Sequence, residues 1–171
     1  MFSSAQKQMM LKLFSMFVVV RGLNLTLIVI AQYITAVFIM APSSQSLSDV
    51  LLDRSLFALI LATVGAIASG YIINNFYDSE KDSINRPHMA TLEQYVSQNT
   101  KLILYFIINI IVIIIASYVS FRSVLFFSIY IFIIWFYSHK IKKRPIIGNL
   151  ISAILTITPF FAIFLYYKNY S

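Results

Sequence analysis

Residues 55–88 read SLFALILATVGAIASGYIINNFYDSEKDSINRPH. The first two thirds, residues 55–77, form an apolar run of the length that crosses a bilayer as a helix. The remainder is polar and carries Asn74, Asp78 and Asp82 at a spacing of four. That spacing aligns the three along one helix face, each about 6 Å further along the axis. Two carboxylates and a carboxamide therefore stand at the mouth of a membrane span. Gly65, Ser69 and Gly70 lie just before them, and small residues of this kind let helices approach closely in lipid.

The rest of the chain repeats the apolar pattern. Spans are expected near 23–41, 55–77, 102–119, 123–138 and 147–167, with Pro159 inside the last. Residues 1–20 read as an interfacial or entering helix, because LFSMFVVV is short and ends at Arg21 without a small-residue cleavage site. Only 11% of the 171 residues are charged and 60% are hydrophobic, against about 25% charged in a soluble domain. The expected fold is all-α: one polytopic transmembrane helix bundle over 1–171. No cysteine is present, which removes disulfide, thiol and thiolate-metal chemistry.

The net charge of +7 reads as membrane orientation and not as nucleic-acid binding. With the N-terminus inside, ten of the 13 Lys and Arg residues fall on the cytoplasmic side, leaving Arg54, Arg122 and Lys168 outside. The polar loop 78–101 and the basic loop 139–145, HKIKKRP, then open on one cytoplasmic face. An acidic and a basic cluster can meet there at one pocket mouth.

The ladder has two readings. One is a solvated helix end. The other is a site for Mg²⁺, a hard cation that typically takes one or two carboxylates together with substrate phosphates. Glu80 and Lys81 lie on other faces and are expected in water. Pro87 ends the helix, and Arg86 can meet a phosphate through a bidentate contact. Lys142, Lys143 and Arg144 are either a topology anchor or a second clamp on a diphosphate. The chain's 15 Phe and 11 Tyr serve mainly lipid contact and packing, although aromatic faces also shelter a carbocation.

These residues resemble a known family, the UbiA-type membrane prenyltransferases. The family's first motif, Asn-x-x-x-Asp-x-x-x-Asp followed by Asn-Arg-Pro, is matched by NNFYDSEKD and INRP, with Asn75 where Asp is frequent. YSHKIKKRPIIGN, Tyr137 to Asn149, resembles its mid-chain pattern, and Arg21 with Asn24 resembles an Arg-x-x-Asn in its first helix. The resemblance implies transfer of an isoprenyl group from an allylic prenyl diphosphate to an aromatic or hydroxyl acceptor, with Mg²⁺ as cofactor. By position it assigns Asn74, Asp78 and Asp82 to the metal, with Asp78 and Asp82 catalytic. It assigns Arg21, Asn24, Arg86, Tyr137, Ser138, Lys143 and Arg144 to substrate contacts.

The resemblance covers the first half of the family's nine-helix fold. The family's second Asp-rich motif has no counterpart, since Glu93 is the one acidic residue after Asp82. A truncated, non-catalytic paralogue that binds prenyl diphosphate or a partner subunit is therefore a second expectation. A small transporter, with an intramembrane carboxylate marking an ion path, is a third. Half a cavity would expose polar groups to lipid, so either a second chain that completes the bundle or instability is expected.

Overall fold

The computed structural model describes residues 4–93 and 95–168, without the side chains of residues 4, 5, 80 and 89. Helix α1 (Ser4–Val19) leads into α2 (Gly22–Thr35), whose last turn widens into a π turn over Ala36–Met40. A short α3 (Leu47–Leu51) precedes the long α4 (Arg54–Asn85) and the short α5 (Pro87–Glu93). Helices α6 (Gln98–Val119) and α7 (Phe121–His139) form a tight hairpin, and α8 (Pro145–Lys168) follows a 3₁₀ turn at Ile141–Lys143. Among the described residues, five helices are long and apolar enough to cross a membrane: Gly22–Met40, Arg54–Ser79, Gln98–Val119, Phe121–His139 and Pro145–Lys168. The chain is an all-α membrane bundle.

Helix α4 is the axis of the bundle. Of its membrane window 67% is buried, against 11–28% for the other four spans. Lipid tails are as apolar as the side chains, so association depends on close packing and on interhelical hydrogen bonds. The small residues of α4 supply the first. A Cβ added at Gly65 would lie 2.6 Å from Val112 Cγ2 of α6, and one at Gly70 would lie 2.8 Å from Ile134 Cγ2 of α7. Ser69 Oγ reaches Asn109 Oδ1 of α6 at 2.8 Å. Gly65→Val is expected to spread α4 from α6 and destabilise the bundle by about 1–3 kcal/mol, because Val112 is a stiff partner. Equilibrium unfolding in mixed micelles checks this, and an unchanged midpoint would refute the close-packing account.

Polar pairs tie α8 to the bundle. Pro159 lacks an N–H, so the Leu155 carbonyl one turn earlier loses its helical donor. The Tyr130 hydroxyl of α7 donates to that carbonyl at 3.2 Å. Gln32 of α2, fully buried, donates to the Pro159 carbonyl at 2.9 Å. Near the start of α4, Asp53 caps the Ser55 and Leu56 amides and also accepts from the Tyr166 hydroxyl of α8. In the preceding loop, Ser46 and Asp49 form a capping box on α3. The Ser46 hydroxyl and amide hold the Asp49 carboxyl below its usual range.

The ends of the spans differ from a simple loop picture. The stretch 78–101 is helical over most of its length. Helix α4 continues to Asn85, and Pro87 starts α5 because its fixed φ suits a first helical turn. The α6–α7 connection narrows to Ser120 alone, whose Oγ accepts from the Ser123 amide at 3.1 Å.

Candidate functional site

The continuation of α4 past the span keeps Asn74, Asp78 and Asp82 on one helix, each half-buried. All three line a cavity of about 110 Å³ together with Arg21, Arg86 and Lys142. These six side chains come from four places: the α1–α2 junction, α4, the α4–α5 junction and the 3₁₀ turn before α8.

Lys142 is the residue that closes the ladder electrostatically. Its Nζ donates to Asn74 Oδ1 at 2.9 Å and pairs with the Asp78 carboxylate. The turn that carries it folds back on the start of α8. Gly148 allows this, since a Cβ there would lie 3.1 Å from the Ile141 carbonyl oxygen. With three residues per 3₁₀ turn, neighbouring side chains fan outward in different directions. Lys143 and Arg144, expected as contacts, are exposed and lie outside the cavity lining.

Arg21 enters from the α1–α2 junction in the left-handed conformation, φ 51°, ψ 55°. For a residue with a Cβ this costs roughly 1–2 kcal/mol, and such strain collects where side-chain direction matters. The conformation stops α1, restarts the chain as α2, and aims the guanidinium over the Tyr71 ring, 5.1 Å from its centroid. Gly22 next to it accommodates the Phe17 ring, which any Cβ would strike.

The other expected residues are placed elsewhere. Asn24 is exposed on α2 and does not line the cavity. Ser138 is buried, and its hydroxyl donates to the Ile134 carbonyl of its own helix at 2.9 Å. Tyr137 is half-buried and also outside the lining. Lys81 is exposed, whereas the Glu80 side chain lies outside the described residues.

Asn75 and Glu93, to which the sequence reading assigned no contact, also line the cavity. Asn75 is buried, and its amide donates to the Glu93 carboxylate, which brings the end of α5 back against α4. Asn75 Oδ1 is buried without a hydrogen-bond partner. The usable signal was the rarity of acid: Glu93 stands alone after Asp82 in a strongly basic half-chain.

Among the described residues no three His, Cys, Asp or Glu side chains are arranged to hold a metal ion unaided. The donor set nevertheless suits one. Asn74 and Asp78 turn oxygens onto a single cation, the Lys142 ammonium, which marks where positive charge is stabilised. Hard oxygen donors of this kind fit Mg²⁺ when substrate phosphates complete its shell.

The model of the UbiA prenyltransferase family matches residues 14–171. The chain is similar to the digeranylgeranylglyceryl phosphate synthase of Thermococcus sibiricus, 36% identical over 93 residues, which are 54% of this chain and 33% of that protein. The synthase of the same name from Pyrococcus furiosus is 30% identical over 89 residues, 52% of this chain and 32% of that one. The one from Sulfurisphaera tokodaii is 26% identical over 101 residues, 59% and 36% of the two chains. The matched segments thus span about a third of the length of these relatives. No solved structure matches. A family match that runs from within α1 to the end of the chain, over a bundle whose central helix carries the acidic ladder, places this protein in the UbiA prenyltransferase family.

Proposed function

We propose that this chain binds the diphosphate of an allylic prenyl donor at the α4 ladder and serves transfer of the prenyl group to a hydroxyl acceptor. The observation that carries the reading is the convergence of Asn74, Asp78 and Asp82 with Arg21, Arg86 and Lys142 on one cavity. Oxygen donors for a metal and cations for a diphosphate are the two halves of such a site. Relatives named as synthases of digeranylgeranylglyceryl phosphate favour a hydroxyl acceptor that bears a phosphate over an aromatic one.

In this reading Asn74, Asp78 and Asp82 hold Mg²⁺. Bound there, the ion supplies charge neutralisation and Lewis-acid assistance to the departing diphosphate. Lys142, Arg21 and Arg86 place fixed positive charge beside the leaving group, where charge grows as the allylic C–O bond breaks. The diphosphate keeps the electron pair of that bond. A new C–O bond then forms to the acceptor hydroxyl, which releases its proton.

The test uses membranes containing the chain, radiolabelled geranylgeranyl diphosphate and Mg²⁺. Donor retention that EDTA reverses and Asp82→Ala weakens is expected. Retention indifferent to EDTA and to Asp82→Ala would overturn the proposal. Adding a prenylglyceryl phosphate then separates two outcomes. Label transfer supports the enzyme, whereas retention without transfer supports a chain that binds the donor only.

A further inference from the structure

A second cavity, of about 510 Å³, lies at the same end of the bundle and shares Glu93 with the ladder cavity. Its walls come from the last turns of α4, from α5 and from the first turn of α6, with Ser79, Thr91, Ser97 and Gln98 among them. The residue that calls for an explanation is Lys101, which lines this cavity and is only 3% exposed.

A lysine at a membrane boundary ordinarily extends its ammonium to water along a buried stem. Lys101 does so only sparingly: its ammonium keeps a small contact with the solvent of this cavity, and the residue as a whole is 3% exposed. Its side chain makes no ion pair or hydrogen bond with a described residue. Glu93 attracts it electrostatically, but the Glu93 carboxylate is engaged by the Asn75 amide on α4. An ionisable residue inside a membrane bundle, with little water and no counter-ion in contact among the described residues, is a candidate for ligand contact.

The surroundings describe the missing partner. Lys101 sits one turn into a 22-residue helix, where the positive end of the helix dipole adds to its charge. Gln98 adds amide donors. The partner is therefore an anion. Pro87, Ala90 and Val96 also line the cavity, so the anion's carrier has apolar atoms. The geometry points to a binding site for the phosphate group of an amphiphile, held by Lys101 between α4, α5 and α6. Two sources supply that chemistry: a phosphorylated acceptor of the proposed reaction, or an anionic lipid of the bilayer. Only the first rests on the proposed function.

The purified chain in detergent, without Mg²⁺ or prenyl diphosphate, is given dioctanoyl phosphatidate or dioctanoylglycerol and examined by native mass spectrometry. Preference for phosphatidate of about tenfold or more is expected. Lys101→Met should abolish the preference and Lys101→Arg should keep it. Met fills similar volume without charge, and the two lipids compared on one folded variant cancel any loss of protein. No preference in the wild-type chain, or an equal preference in Lys101→Met, would overturn the assignment. In the transfer assay, a raised KM for phosphorylated acceptor with an unchanged donor KM in Lys101→Met identifies the acceptor as the source. Unchanged KM values beside lost phosphatidate retention identify a bilayer lipid. Because the retention assay holds neither donor nor metal, failure at the ladder leaves its outcome readable.

Discussion

Asp78→Asn is expected to weaken Mg²⁺-dependent binding of geranylgeranyl diphosphate by about 100-fold, with the helical content of the chain unchanged. Asp78 is the ladder residue with two duties. It pairs with Lys142, and it stands one turn from both Asn74 and Asp82 along α4. The amide keeps the volume and removes the charge. A contact made by a charged group contributes about 1.5–3 kcal/mol, and in the proposed reading Asp78→Asn removes one such contact to the metal. About 2.7 kcal/mol, or 100-fold, is the resulting expectation. Filter binding with and without EDTA measures it, and circular dichroism reports the fold. Binding equal to wild type would remove Asp78 from the site and with it the ladder reading.

Lys142→Met carries the second large effect, with opposite signs in two measurements. The Lys142 ammonium sits on the same oxygens that the proposed metal would need. Removing it ends both the competition and the like-charge repulsion, so Mn²⁺ binding followed by electron paramagnetic resonance should tighten about tenfold. With geranylgeranyl diphosphate present, a cation beside the leaving diphosphate is gone, and donor affinity should fall about tenfold or more. Gly148→Val should give a weaker version of both changes, because a side chain there displaces the turn that positions Lys142. A Lys142→Met variant with unchanged Mn²⁺ and donor affinities would show that this lysine is only a topology anchor.

The ladder and the lysine were unequally legible in the sequence. Asn74, Asp78 and Asp82 could be placed together because helical periodicity is a local property, and α4 does run through all three. Within the basic loop the resemblance assigned Lys143 and Arg144 to substrate contacts, whereas Lys142 is the one that lines the cavity. Three adjacent cations in a turn point in different directions, and the choice of Lys142 depends on how Gly148 lets the turn settle on α8. Asn24 and Ser138 show the reverse case. Their motif positions were readable, yet one faces out from α2 and the other spends its hydroxyl on its own helix.

By itself the sequence determined the membrane class, the number of spanning helices and the acidic face of the second span. Hydropathy and a four-residue spacing act over one helix and need no partner to be read. The tertiary structure alone decided that α4 is the buried axis, that Lys142 meets Asp78 across 64 residues of chain, and that Glu93 returns to Asn75. Those outcomes depend on where α5, α8 and the turn before it pack against α4. Packing between helices in lipid is set by the fit of small residues and a few polar contacts, which no single segment encodes.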